Sequence, residues 1–229
     1  MATVKVIEVI RRVEDIVQDT GIRWPRAELQ SWLNEAYLAV ISLRPDANSQ
    51  TGTFTCVGGT RQVVTATFAN AMRLLDIIRN LTVSSNLRAI RPIDRRMLDD
   101  QRPAWHSEDK TVNLQHFMFD PRLPKEFLVY PPALAGTQIE IAYSITVVAH
   151  AMTEAQLDPQ ESNTTVIQID DVYAPALVDY ILSRAYSKDT DYGSNEQRAS
   201  TFMDSFIGRL SNKSQTDSAV DPKATSTVT

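Results

Sequence analysis

The hydrophobic period of this chain changes twice, and these changes restrict the possible fold more than any other feature. Residues 3–44 repeat apolar side chains every three or four positions, which is the spacing of amphipathic helices. Residues 51–146 contain short β-rich runs separated by turn residues, and helical spacing returns after Ile169. Because isolated helix pairs would leave apolar stripes uncovered, the sequence predicts an α+β protein in which four helices form one discontinuous domain.

The middle region is predicted to be an inserted β-rich domain, built as a sandwich or a small barrel. We place the helical domain at residues 1–50 and 169–210, the insertion at 51–168, and an extended C-terminal arm at 211–229. Within the insertion, hairpins are expected across residues 58–59 and across residues 84–86. A short helix is predicted at 94–101, and further strands are predicted at 114–119, 126–130 and 138–145.

The C-terminal segment, residues 211–229, is rich in serine and threonine and has no large apolar residue besides two valines. This composition is typical of disorder in a free chain. Because the segment has little of its own to bury, we expect it to bind a partner surface; the alternative is that it packs on its own domain. The residues assigned to this docking arm are Ser211, Lys213, Val220, Asp221, Pro222, Lys223 and Val228.

Composition excludes several classes of protein. Cys56 is the only cysteine, so the chain has no intramolecular disulfide and no cysteine-rich zinc site, which fits a reducing cytoplasm. No run approaches the roughly 20 apolar residues of a membrane span, and the charged N-terminal region does not resemble an export signal. The net charge of −5 lacks the positive excess of general nucleic-acid binders. Neither a membrane location nor strong DNA binding is expected.

The residues that usually carry catalysis occur only in weak patterns. His106, His116 and His150 lack metal-ligand spacing. Adjacent carboxylates occur at residues 99–100 and 170–171, but neighbours in a helix point to different faces, so capping and solvated surface explain them better than acid–base chemistry. We predict no catalytic, cofactor-binding or metal-binding residue, and no cofactor. The most distant alternative is a cytoplasmic hydrolase that uses Asp99, Asp100, Asp170 or Asp171.

Other residues suit protein contacts. Five arginines gather within a short span with a tryptophan close behind, at Arg88, Arg91, Arg95, Arg96 and Arg102, and a tyrosine follows in a proline-stiffened strand. Arginine, tryptophan and tyrosine are the residues most often found at the energetic centres of interfaces. The predicted subunit or tail interface consists of Arg91, Arg95, Arg96, Arg102, Trp105 and Tyr130. The alternative is a solvated arginine face whose charge is balanced by Asp94, Asp99 and Asp100.

Several stretches of the sequence resemble head-to-tail adaptor proteins of tailed bacteriophages. The second helix and its exit are similar to the family at Trp24-Pro25, Glu28-Leu29, Trp32-Leu33-Asn34-Glu35-Ala36 and Arg44-Pro45-Asp46-Ala47. The β region is similar at Ile90-Arg91-Pro92-Ile93-Asp94, Pro103-Ala104-Trp105, Phe119-Asp120-Pro121 and Phe127-Leu128-Val129-Tyr130-Pro131-Pro132. The third helix resembles the family's at Asp171-Val172-Tyr173, Leu177-Val178-Asp179-Tyr180 and Arg184-Ala185-Tyr186-Ser187-Lys188-Asp189. These are structural patterns, spread over roughly residues 3–210, and not catalytic signatures.

The resemblance implies a structural protein of the virion neck, made in the host cytoplasm. Such adaptors form a ring, usually of about twelve copies, beneath the portal protein. The ring extends the DNA channel and offers a surface to the tail or nozzle protein, while a C-terminal arm often reaches the portal. DNA would pass without specific binding, since an acidic lumen repels phosphates. The nearer alternative is another neck component, a stopper or tail-completion protein.

Overall fold

The computed structural model describes residues 2–19, 21–82, 87–158, 163–189 and 193–220. The helices are α1 (Val6–Val17), α2 (Arg26–Leu43), α3 (Arg95–Gln101), α4 (Ala174–Lys188) and α5 (Gly193–Val220). The strands are β1 (Ser49–Thr55), β2 (Gly59–Val63), β3 (Ala71–Asn80), β4 (Arg91–Pro92), β5 (His116–Phe119), β6 (Glu126–Ala133) and β7 (Gln138–Ile145). They belong to two compact units, a helical unit (Met1–Ala47 with Val147–Thr229) and a β unit (Asn48–Thr146). The predicted α+β fold with an inserted β-rich domain is confirmed.

The second boundary of the insertion lies earlier than predicted. Residues 147–168, which the sequence assigned to the β-rich domain, belong to the helical unit. They contribute Leu157 and Ile167 to the helical core, and Val166 forms a β-bridge with Lys5 just before α1. The segment has no helical spacing of apolar residues, so the sequence pattern places it in the same domain as the strands that precede it.

Helix α4 lies at the centre of the helical unit and packs against α1, α2 and α5. Its side chains are buried on most of its circumference, and Leu177 and Ile181 are fully buried. A helix that is apolar nearly all round must be covered on every side, which the other three helices achieve. The amphipathic faces of α1 and α2 supply Val13 and Leu33 to the same core. This shared core confirms that the four helices form one domain.

The β unit is a sandwich of two sheets. One sheet has the order β1-β7-β3 and is antiparallel, and the other has the order β2-β6-β5-β4 with a parallel β4–β5 pair. Side chains of both sheets share one apolar core, in which Phe54 meets Phe127 edge-to-face with ring centroids 5.4 Å apart. Of the two predicted forms, a sandwich and a small barrel, the chain adopts the sandwich.

The hairpin predicted across Gly58-Gly59 is wrong, because β1 and β2 belong to different sheets. The backbone N–H of Cys56 donates to the carbonyl of Thr137 at 2.7 Å, so this part of the chain stays paired alongside β7. Gly59, with φ of +121°, then turns the chain towards β6 in the other sheet. The two glycines thus serve a crossing between sheets, which requires the same backbone freedom as a tight turn.

The hairpin predicted across residues 84–86 is confirmed only in the pairing of the two segments that flank the turn. The N–H of Asn80 donates to the carbonyl of Arg88 at 3.0 Å, and the N–H of Ile90 donates to the carbonyl of Ile78 at 3.2 Å. Beyond Ile90 the chain leaves this pairing, and β4 joins β5 in the other sheet. The predicted turn at residues 84–86 lies outside the described residues.

The C-terminal segment differs from the prediction. Residues 211–220 are not extended but continue α5, a helix of 28 residues, as far as Val220. Their sequence contains no proline or glycine, and the first helix-breaking residue is Pro222. Residues 221–229 lie outside the described residues. Among the helices described, none is long and apolar enough to span a membrane.

Candidate assembly surfaces

Helix α3 presents the arginines singled out by the sequence. Asp94 caps the helix by accepting a hydrogen bond from the backbone N–H of Arg96 at 3.0 Å, as expected for an aspartate at this position. Leu98 points into the β unit, whereas the side chains of Arg95 and Arg96 are exposed. The short helix predicted here is confirmed, and it places two adjacent guanidinium groups at the surface.

Trp105 does not contact solvent, which corrects its predicted role as a contact residue. The residue is 0% exposed and packs in a cluster with Leu98, Met118 and Tyr130. Its indole N–H donates to Oδ1 of Asp99 at 2.9 Å. That hydrogen bond, more than the nearby Arg95, holds the pKa of Asp99 below its usual value. Trp105 therefore packs beneath α3 and supports the helix that carries Arg95 and Arg96.

Tyr130 is also interior, at 8% exposed, so it too is corrected from contact residue to support. Its hydroxyl accepts a hydrogen bond from Nη1 of Arg102 at 2.7 Å and donates to Oε2 of Glu108 at 3.1 Å. Burial first, and then the contact with Glu108, raises the pKa of Tyr130. Arg102 itself is exposed, as is Arg91 on β4. The predicted set thus divides into exposed arginines and buried aromatic supports.

Two of these arginines line a groove of about 610 Å³ on the β unit. Its lining contains four arginines: Arg95 and Arg96 of α3, Arg61 of β2 and Arg122 of the β5–β6 loop. The apolar part of its lining includes Met118, Phe119, Pro121, Leu123, Phe127 and Leu128. We call this feature the arginine groove; Arg91 and Arg102 are not part of its lining.

The acidic residues of the arginine groove are engaged within the chain. Asp94 caps α3, and Asp120 accepts the backbone N–H of Arg122 at 2.9 Å. Glu126 accepts both Nε and Nη2 of Arg61, at 2.9 and 2.5 Å. Arg122 is 92% exposed and 3.7 Å from Asp120, and a pair so exposed contributes little attraction. The lining thus carries four arginines against three carboxylates, a net charge of +1, together with its apolar side chains.

The two units carry opposite net charge. The β unit has 11 basic and 9 acidic side chains, a net charge of +2, whereas the helical unit has 12 basic and 19 acidic side chains, a net charge of −7. Together they account for the −5 of the whole chain. The net negative charge that is expected to repel DNA from the lumen thus belongs to the helical unit.

The paired carboxylates make structural contacts, as their capping interpretation predicts. Oδ1 of Asp170 accepts the N–H of Val172 at 3.0 Å, and Asp171 accepts the N–H groups of Thr3 and Val4 at 2.8 and 3.0 Å. Asp99 binds Trp105, and Asp100 is exposed. In the part of the chain that the structure describes, no group of three histidine, cysteine or acidic side chains could hold a metal ion.

The second candidate surface is the distal part of α5, residues 211–220. Phe206 and Leu210 are buried against the helical core, and the Nζ of Lys213 lies 5.7 Å from the ring centroid of Tyr173. Ser211 is exposed. Of the other predicted arm residues, Val220 ends the helix, and Asp221, Pro222, Lys223 and Val228 lie outside the described residues.

Comparison with known proteins agrees with the resemblance and with the fold. A search of curated proteins gives no match. The profile of the family described as SU10 adaptor protein matches residues 4–226, which is nearly the whole chain and includes both halves of the helical unit, the inserted β unit and α5. The chain therefore belongs to the SU10 adaptor protein family, a family of phage adaptor proteins.

Proposed function

We propose that this phage adaptor forms a ring beneath the portal of the DNA-filled capsid, in the virion neck, where it extends the DNA channel and provides the surface for tail attachment. The observation that carries this proposal is the distal part of α5. The helix continues from Leu210 to Val220, about 15 Å of additional rise, through a sequence with no large apolar residue before Val220. A helical segment with so few apolar side chains has little of its own to bury against the helical core, so we assign its contacts to a partner.

The portal is the partner proposed for residues 211–229. One such contact is weak because it buries little apolar surface. A portal ring offers the same contact many times in fixed geometry, which raises the effective concentration of each subunit for its neighbours. The adaptor is therefore monomeric in isolation and assembles into a ring of about twelve copies on the portal.

The exposed arginines Arg91, Arg95, Arg96 and Arg102 are proposed to contact a neighbouring subunit or the tail or nozzle protein. Arginine suits this role because its planar guanidinium binds carboxylates through two parallel hydrogen bonds. DNA passes through the lumen without specific binding, and the net charge of −7 on the helical unit supports this part of the proposal. No catalytic role is proposed.

A portal-binding assay tests the proposal. Full-length protein is expected to be retained by a purified portal ring, whereas a chain that ends at Leu210 is expected to keep its fold and lose binding. A chain that ends at Val220 separates the helical part of the segment from residues 221–229. Far-ultraviolet circular dichroism and urea unfolding establish that each truncated chain is folded.

Two outcomes would contradict the proposal. If the chain ending at Leu210 binds the portal as tightly as the full-length protein, the C-terminal segment is not the docking arm. If the full-length protein ignores the portal and binds a tail protein instead, it is a stopper or tail-completion protein.

A further inference from the structure

The end of α1 and the residues that follow it carry exposed acidic and apolar side chains. Ile22 is 87% exposed and Ile16 is 47% exposed. Asp15 lies beside Ile16 and is also exposed. We call Asp15, Ile16 and Ile22 the α1 knob. Contact with a partner would remove the apolar surface of both isoleucines from water, which is favourable.

The turn that carries Ile22 is held in place by its own hydrogen bonds. Oδ2 of Asp19 accepts the backbone N–H groups of Arg23 and Trp24, both at 3.0 Å. The guanidinium of Arg23 forms an ion pair with Asp189, and the Trp24 indole donates to the carbonyl of Ala185 at 3.2 Å. The residues on the C-terminal side of Ile22 are thus fixed to the helical core while Ile22 points away from it. A preordered apolar side chain loses little entropy when it binds.

Asp15 stands where a carboxylate is locally unfavourable. It occupies the last turn of α1, which contains no basic residue, and the helix dipole is negative at this end. The adjacent Glu14 is compensated by Nε of Arg26 at 2.7 Å. Asp15 instead is exposed, with Arg11 one turn earlier on the same helix, and a cation supplied by a partner would further offset the unfavourable field at the helix end.

We propose that the α1 knob of one subunit inserts into the arginine groove of the next subunit in the ring. The exposed isoleucines pack against the apolar side chains of the groove lining, and Asp15 meets Arg96. The charges are complementary, since Asp15 lies on a unit of net charge −7 and the groove, whose lining has a net charge of +1, lies on a unit of net charge +2. This contact rests on the proposed ring and assigns Arg95 and Arg96 to the subunit interface, not to the tail.

The contact uses two different surfaces of the same chain. Such heterologous contacts repeat from one subunit to the next and close into rings when the rotation permits. A two-fold contact between identical patches would stop at a dimer. A knob on the helical unit and a groove on the β unit therefore suit a ring with one interface per neighbour.

Cross-linking between two variants, each with one introduced cysteine, tests the contact. Ile22→Cys protein and Leu123→Cys protein are mixed, assembled on the portal and treated with a short bismaleimide, so that a cross-link can form only between chains. The native Cys56 does not interfere, because it is buried and its burial raises the pKa of the thiol to about 12. The matched control replaces Leu123→Cys by Leu134→Cys, at an exposed residue of the β unit that is not part of the groove lining.

The expected result is a cross-linked dimer at least tenfold more abundant with Leu123→Cys than with Leu134→Cys. A ring that forms without this excess overturns the knob-and-groove contact and leaves the proposed function standing. Failure to form any ring on the portal overturns the proposed function and this contact with it.

A charge exchange provides a second, independent readout. Arg96→Glu is expected to raise the protein concentration needed for half-maximal ring assembly at least tenfold, and adding Asp15→Arg in the same chain is expected to restore most of that loss. If the double variant is as defective as the sum of the two single variants, Asp15 does not meet Arg96 and the proposed pairing is overturned.

Discussion

Nε of Arg209 lies 2.6 Å from Oδ2 of Asp179, and this ion pair joins α5 to the central helix α4. Asp179 is buried, and the same oxygen accepts the hydroxyl of Ser205 at 2.7 Å. A buried carboxylate needs such partners, because an uncompensated charge in the interior is costly. The pair therefore fixes α5 two residues before the segment that we propose to reach the portal.

Replacing Asp179 tests this anchoring. Asp179→Ala leaves Arg209 able to turn to solvent, since its side chain is already 51% exposed, so the expected loss is moderate. We expect the free energy of unfolding to fall by about 1–3 kcal/mol in urea denaturation. Asp204→Ala, at an exposed position of α5, is the matched control and should change it by less than about 0.5 kcal/mol. Equal effects of the two substitutions would contradict the anchoring role.

Trp105 provides a prediction about the support of α3. Trp105→Ala is expected to destabilise the protein by about 3–5 kcal/mol, because it leaves a cavity in a fully buried cluster. Trp105→Phe keeps most of the packing but removes the indole N–H that Asp99 accepts. The pKa of Asp99, now below its ordinary value of 3.8, should then rise towards it in a nuclear magnetic resonance titration. An unchanged Asp99 titration in Trp105→Phe would contradict this assignment.

His150 makes stability depend on pH. Its Nε2 lies 3.2 Å from the hydroxyl of the buried Tyr37, and burial lowers the pKa of His150 below its ordinary 6.5. The unfolded chain therefore takes up this proton at a higher pH than the folded chain, so the stability that depends on neutral His150 falls as the pH falls below about 6.5. His150→Gln should show a smaller loss of unfolding free energy between about pH 7.5 and about pH 5.5 than the wild type. An equal loss would show that other groups carry the dependence.

Asp171 ties the N-terminal residues to the helical unit. Hydrogen bonds from the Thr3 hydroxyl first, and then from the N–H groups of Val4 and Thr3, lower the pKa of Asp171 below 3.8. These hydrogen bonds favour the ionised form of Asp171 in the folded state. The stability that they contribute is therefore fully present above the pKa of Asp171 in the unfolded chain, and it is lost as the pH falls through the lowered pKa of the folded state. Asp171→Ala should accelerate hydrogen exchange at the amides of Thr3 and Val4 at neutral pH. Unchanged protection of both amides would contradict the tether.

Much of the fold could be predicted because it depends on local patterns. The helical spacing of Val6, Ile10 and Val13 requires a buried stripe, and the tertiary structure buries all three. The strand pairing could not be predicted in the same way. Gly58-Gly59 satisfies the requirements of a tight turn and of a crossing between sheets equally well, and only non-local pairing with β7 and β6 decides between them.

The candidate surface was predictable only in part, for the same reason. Arg95 and Arg96 are adjacent in sequence, but Arg61 and Arg122 join them through the packing of β2, β5 and β6. No spacing in the sequence signals that proximity. Trp105 shows a different limit, since tryptophan is common both in cores and at interfaces, and only its complete burial identifies it as support.

The most direct test of the account is the light-scattering mass of the purified protein, alone and after mixing with its portal ring. Assembly of the ring on the portal predicts that the protein alone is a monomer of 25.7 kDa. It predicts that the portal ring then gains a fixed number of these chains and saturates. A portal ring whose mass does not change when the protein is added would contradict the account.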